Sequence, residues 1–231
     1  MYISSKQNQH ILQVKDLITD RQARFAQKLC VVEGHKLCKE VSLLKLFIRD
    51  GATTDLTAPE IFTVTSSLFD QMCDTQTPQG VLGVTAISCF SSIPSQGQFL
   101  YCDRIQDPGN LGTIIRTARG FGFSGVVVSP GTTDPFSPKV VRSSMGAVFQ
   151  IPIIVSECVS DLPLIVAEMQ GTNIRAFTPP KDYILVVGNE GQGVAMDIQA
   201  KAQVLIAIPI QFESLNAAVA AAICMYQLKS A

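Results

Sequence analysis

The chain has 231 residues, 47% hydrophobic and 16% charged, with 16 glycines and 12 prolines. That balance suffices for at least one full core and excludes disorder, collagen and coiled coil. The net charge of −1 is unevenly spread: residues 1–50 carry nine basic against five acidic groups and the remainder nine against fourteen, so the first fifth of the chain is the candidate for phosphate contact, with the solvated faces of ordinary helices as the alternative.

Other classes fall away on residue counts. Seven cysteines without a C-x-x-C pair suggest neither a disulfide framework nor zinc, and two histidines, His10 and His35, leave little for imidazole catalysis, so no metal site is expected. The apolar stretch Ala217 to Tyr226 is far shorter than the roughly 20 residues a membrane span needs. The N-terminus lacks the apolar core of a signal peptide, and a cytoplasmic chain is expected.

In chain order, apolar positions at helical spacing from Asn8 to Lys28 (Ile11, Val14, Leu17, Phe25) read as one or two amphipathic helices. The run Leu29–Val32 is followed by a helical stretch through Leu43, and strands near 46–48, 61–64 and 81–87 complete a small α/β domain, residues 1–90. Ser88 to Gln98 has linker composition. From residue 98 to 231 strands and helices alternate: strand 99–102, helix 111–121, strand 126–129, helix 139–149, strand 151–155, a helix near 162–169, strands 174–177 and 183–187, a weak helix 195–202, strand 204–208 and a last helix 215–228. Such alternation implies an α/β fold with a mainly parallel sheet and ligands at the carboxyl ends of its strands.

Three strand ends carry polar chemistry. Asp107-Pro108-Gly109-Asn110 is a tight turn with Asn110 as the expected helix cap, and Arg116 falls off the apolar face of the following helix. Arg116 with Asn110 suits an anion near the helix start, or is a surface arginine. Gly188-Asn189-Glu190-Gly191-Gln192-Gly193 sets three glycines around a carboxylate, more than a turn requires, and suits close approach of backbone to a ligand. Ile208-Pro209-Ile210-Gln211-Phe212-Glu213-Ser214-Leu215-Asn216 leaves a strand and opens a helix, with Ser214 as the expected cap and Asn216 beside free backbone N–H groups. Gly120-Phe121-Gly122-Phe123-Ser124-Gly125 spells a dinucleotide fingerprint, but it ends a helix and precedes a strand, the reverse of the required context.

In order, Asp107 to Ala118, Gly188-Asn189-Glu190-Gly191 and Ser214-Leu215-Asn216 resemble the three motifs of the SpoU family, S-adenosylmethionine-dependent RNA ribose 2′-O-methyltransferases of the SPOUT superfamily. Arg142 to Phe149 is similar to the segment between the first two motifs. Ile3 to Asn8 and Val32 to Leu37 are similar to the L30e-like substrate-binding domain of many members. The resemblance implies a deep C-terminal trefoil knot, a homodimer and S-adenosylmethionine as cofactor. On the family pattern Gly188, Ile208 and Leu215, with Asn189 and Gly191, hold the cofactor, while Asn110, Arg116, Glu190, Ser214 and Asn216 line the reaction site. Arg21, Arg24 and Lys28 become the expected RNA contacts, and ribosomal RNA is favoured over transfer RNA. One departure stands out: only four residues separate Pro209 from Ser214, two fewer than usual. That shortening motivates an alternative, a noncatalytic RNA-binding or ribosome-assembly protein on the same fold.

Overall fold

The computed structural model describes residues 1–156 and 161–230; Cys158 lies outside them. The chain divides into two compact units, Met1–Ser88 with Phe136–Phe149, and Cys89–Pro135 with Gln150–Ala231.

In the first unit β1 (Tyr2–Ile3), β2 (Leu29–Glu33), β3 (Leu43–Arg49), β4 (Glu60–Val64) and β5 (Val81–Ala86) form a sheet of order β1-β4-β3-β5-β2. β4 is parallel to β1 and β3, and β5 runs antiparallel to β3 and β2. Helix α1 (Gln9–Thr19) starts where the Asn8 side chain accepts from the backbone N–H of His10, and it buries Ile11, Val14 and Leu17 along one face. Each such side chain contributes roughly 1.5–3 kcal/mol on burial. Asp20, in extended backbone, ends α1 and caps α2 (Arg21–Gln27) through the N–H of Gln22.

Arg24 is corrected here. It is 4% exposed, and its Nη1 donates to the carbonyls of Leu17 (2.7 Å) and Ile18 (3.1 Å). Those carbonyls belong to the last turn of α1 and have no helical partner of their own, so a buried cation satisfies both. Arg21 lies over the Phe25 ring, and Lys28 closes α2 in the left-handed conformation at φ 55°; both are exposed.

Further along, α3 (His35–Lys39) is shorter than the expected helix, because Leu43 already opens β3. α4 (Ser66–Met72), not anticipated, buries Leu68, Phe69 and Met72.

The second unit begins with β6 (Cys89–Phe90), β7 (Gln98–Cys102), α5 (Pro108–Gly120) and β8 (Gly125–Val128). The chain then lends α6 (Pro138–Ser143) to the first unit, where it packs on β2, whereas the sequence places this segment in the domain of residues 98–231. Ser137 caps α6 with Pro138 in its first turn, and the expected helix through Phe149 is interrupted before a short 3-10 turn at Ala147–Phe149. β9 (Ile153–Val155), β10 (Leu164–Asn173), β11 (Tyr183–Val187), α7 (Met196–Gln199), β12 (Val204–Ala207) and α8 (Ala217–Ser230) follow.

The seven-stranded sheet has the order β12-β10-β11-β7-β8-β9-β6, and every pairing is parallel. The α/β class with a parallel sheet is therefore as expected. The assignments around residues 162–177 are not. The expected helix there is β10, and the expected strand at 174–177 is a short 3-10 turn. Leu164-Ile165-Val166 is buried between β11 and β12, and a strand buried on both faces shows no alternation by which to tell it from a helix.

Chain order reverses at β7. Strands β8 and β9 follow on one side of it and β11, β10 and β12 lie on the other. The carboxyl ends of β7 and β11 thus flank a topological switch point, where parallel sheets form ligand crevices.

Candidate functional site

The loop after β7 is built differently from the sequence expectation. Asp107, not Asn110, caps α5: its Oδ1 accepts from the backbone N–H of Asn110 at 2.8 Å. Pro108 takes the first helical position, where a missing N–H costs nothing. Asn110 therefore keeps its side chain for other partners. Its Nδ2 donates to Glu190 Oε1 at 2.8 Å, and its Oδ1 accepts from Asn216 Nδ2 at 2.9 Å. One chain of hydrogen bonds, Asn216 to Asn110 to Glu190, ties together the three loops read from the sequence.

Asn216 also displaces Ser214 as the cap of the last helix. Its Oδ1 accepts from the N–H groups of Ala218 (3.0 Å) and Val219 (3.3 Å), and α8 starts at Ala217, two residues later than expected. Its alanines allow a close approach to α5, against which it packs.

The glycine loop after β11 closes on itself through a bridge between Asn189 and Gly193. The Asn189 side chain shapes the turn, its Oδ1 accepting from the N–H groups of Gly191 (2.9 Å) and Gln192 (3.0 Å) while its Nδ2 donates to the Arg104 carbonyl at 2.9 Å. A Cβ on Gly188 would run into the backbone of Gly193 and Val194, so glycine there is required by the loop's own closure.

Gly188, Asn189, Glu190, Gly191, Ile208, Ser214 and Leu215 line one cavity of about 400 Å³. Among the wall residues that the sequence did not single out are Glu168 and Met169. They sit in a bulge of β10, where Ala167 and Thr172 both pair with Ile206. Once 162–169 is read as a helix, no signal in the residues themselves puts them there. Among the described residues, the cavity wall holds two carboxylates, Glu168 and Glu190, and no lysine, arginine or histidine.

Arg116 stands apart. It is exposed on α5, six residues beyond Asn110, and it neither lines the cavity nor has a polar partner among the described residues. Arg21 and Lys28 belong to the first unit. Beneath the glycine loop, burial raises the Cys102 thiol, with the Glu190 and Asp103 charges adding to the effect, so it supplies no reactive thiolate at neutral pH.

Residues 97–226 match the family model described as the SpoU rRNA Methylase family. A Bacillus subtilis protein named 23S rRNA (guanosine(2553)-2′-O)-methyltransferase RlmP is 32% identical, covering 98% of each chain. A solved structure described as an AdoMet-bound rRNA methyltransferase from Sinorhizobium meliloti superposes with a TM-score of 0.86 at 27% identity, covering 100% of this chain and 97% of that one. The SpoU methyltransferase AviRb from Streptomyces viridochromogenes, at 22% identity and a TM-score of 0.81 over 96% of this chain and 98% of its own, shares the fold. With more than half its length inside the family match, the chain belongs to the SpoU rRNA methylase family.

Proposed function

We propose that the protein methylates a ribose 2′-hydroxyl in ribosomal RNA with S-adenosylmethionine as donor. The observation that carries this reading is the Asn216–Asn110–Glu190 chain of hydrogen bonds, whose Glu190 lines the 400 Å³ cavity. The cavity residues suit the cofactor. Ile206, Ile208 and Leu215 offer apolar surface for an adenine, the glycine loop offers backbone groups, and Glu168 and Glu190 complement a sulfonium cation. Bound there, the cofactor supplies an already activated methyl group.

The protein's task is then placement and charge. Asn110 and Asn216 fix the loops around the reacting ribose, and Ser214 lies at the cavity wall to hold cofactor or substrate. Arg116 holds an RNA phosphate and stabilises the developing 2′-alkoxide; it is not the base, because a guanidinium stays protonated. That phosphate or water takes the proton.

The +4 charge of residues 1–50, with Arg21 and Lys28 exposed, favours the L30e-like first unit as an RNA-binding platform. Val219, Ile223 and Tyr226 form an exposed apolar stripe at helical spacing on α8, which favours a homodimer packed through that face. The return of the chain from β12 past β10 and β11 into α8, against α5, favours a trefoil knot. The bacterial relative RlmP favours the cytoplasm as the compartment and ribosomal over transfer RNA as substrate.

The test is incubation of the purified protein with methyl-labelled S-adenosylmethionine and ribosomal RNA, followed by nucleoside analysis. A label on a ribose 2′-oxygen is expected. Label on a base, or cofactor binding without transfer, overturns the proposal, the second result in favour of the noncatalytic alternative.

A further inference from the structure

Arg104 lies two residues beyond the end of β7 and does not line the cavity, yet it makes three hydrogen bonds to the glycine loop. It is one of three non-glycine residues among those described with positive φ, at 54°. An arginine persists in that strained conformation only where its surroundings over-determine it. Here they do. Its N–H donates nothing to the sheet and instead reaches Ser129 Oγ at 2.9 Å, while its carbonyl accepts from Asn189 Nδ2.

The guanidinium reaches in two directions. Nε and Nη2 grip the Asp103 carboxylate at 3.1 and 3.0 Å. Nη2 also donates to the Gly193 carbonyl at 3.2 Å, and Nη1 to Gln192 Oε1 at 3.0 Å. Asp103, 2% exposed, in turn accepts from the N–H of Ala195 at 2.8 Å. The far end of the loop, from Gln192 to Ala195, is thus stitched to the end of β7 by this dipeptide, while Asn110 holds the loop's middle at Glu190.

From this geometry we infer that Arg104 is a positioning residue for cofactor binding: its planar fork holds the Gly188–Gly193 loop in the shape that receives S-adenosylmethionine. The inference rests on assigning the cavity to the cofactor. A loop held in place before binding loses less freedom when the ligand arrives, so the guanidinium acts on affinity and leaves the methyl-transfer step alone. Lysine cannot replace it, because one ammonium cannot serve Asp103, Gly193 and Gln192 in a single fixed fork.

Two variants keep the test clear of misfolding. Arg104→Lys retains a cation beside buried Asp103. Arg104→Gly in an Asp103→Asn background accepts the positive φ and leaves no buried charge unpaired; it is compared with Asp103→Asn alone. Both are expected to weaken S-adenosylmethionine, by about 3-fold for the lysine and about 10-fold for the glycine, the range preorganisation effects span. The rate at saturating cofactor and RNA stays within about 2-fold, and each variant remains folded at the assay temperature, with whatever midpoint is lost through the Asp103 pair shared by the Asp103→Asn control. Wild-type cofactor affinity in both variants overturns the inference, as does a fall in saturated rate at unchanged affinity. Should the double variant not fold, Arg104→Lys decides alone. Ile208→Trp, which fills the cavity, separates the two levels: unchanged cofactor affinity there overturns the cavity assignment, whereas its loss beside normal binding in the Arg104 variants overturns only the role of Arg104.

Discussion

The two units use the same polar residue types to opposite ends. In the first, Asn8 caps α1, Asp20 caps α2 and Arg24 satisfies the last carbonyls of α1, so each is consumed within a turn or two of its own position. In the second, capping of α5 falls to Asp107, and Asn110, Asn189 and Arg104 bond to loops some 80 or more residues away. Local satisfaction builds a stable helix pair. Long-range satisfaction builds a set of loops held in mutual register at the ends of parallel strands, which is what a binding site needs.

The largest expected effect falls on Arg116, the charged side chain of the second unit's motifs that has no polar partner among the described residues. Arg116→Lys is expected to lower single-turnover methylation at saturating RNA by about 10²- to 10³-fold, the range for losing one oriented donor to developing charge. Cofactor affinity and thermal midpoint stay at wild type, since Arg116 touches neither cavity nor core. Wild-type turnover would show that the arginine is structural surface and that charge stabilisation comes from elsewhere.

Next comes the α8 stripe. Ile223→Glu introduces a charge between Val219 and Tyr226, on a face that is exposed in the single chain. If the proposed homodimer packs through this face, equilibrium sedimentation moves from dimer to monomer, with the helical signal intact. A wild type that sediments as a dimer beside a variant that does the same overturns the α8 face as the interface, and a monomeric wild type overturns the dimer itself.

How much was legible in the sequence follows the same division. Strands β7, β8, β11 and β12 are recognisable as short apolar runs ending at turn residues, and the three polar loops can be placed at the carboxyl ends of β7, β11 and β12. Roles that depend on distant partners could not be read. Asn110 and Asp107 are both good caps, and only the position of Glu190 across the crevice decides which one is released. Arg24 and Arg21 lie three residues apart on one helix, and only the packing of α1 against α2 determines which is buried. Asp103-Arg104 stood in plain view after β7, but neither charge nor spacing marks a residue whose partners are Gln192 and Gly193. Glu168 and Met169 were missed for a different reason, because a strand buried on both faces has no period.

Within the first unit, Arg24 and its neighbours sharpen the contrast. Arg24→Met should cost about 2–3 kcal/mol, since it removes charged hydrogen bonds to two otherwise unsatisfied carbonyls. The salt dependence of RNA binding should not change. Lys28→Gly should do the reverse, raising stability by about 0.5–1 kcal/mol through relief of the left-handed backbone. With Arg21→Ala it should weaken RNA binding and reduce the salt slope by roughly one unit per lost phosphate contact. Chemical denaturation beside RNA affinity over a salt series separates the pair. A normal salt slope in the Arg21/Lys28 variant would mean that RNA is gripped elsewhere.

The smallest effect concerns charge pairs. Arg49 grips Asp70 through Nε at 2.9 Å and Nη2 at 3.2 Å, the same two-pronged arrangement as Arg104 on Asp103, but at the surface. The hydrogen bond from Arg49 holds the Asp70 carboxyl below its ordinary value of 3.8. A carboxyl depressed in the folded state adds stability that is present above its unfolded pKa and is lost as pH falls through the lower, folded one. The contribution of Asp70 therefore disappears only below about pH 4, and solvent screening keeps it small throughout. Thermal midpoints of wild type and Asp70→Asn at low salt should differ slightly at pH 6 and converge towards pH 2. At pH 6, Asp103→Asn should lower the midpoint further than Asp70→Asn does, because the buried carboxylate also holds Arg104 and the N–H of Ala195. If the two variants melt alike, burial gives the Asp103–Arg104 pair no more weight than a surface ion pair has, and the distinction between locally consumed and loop-binding polar groups loses its energetic basis.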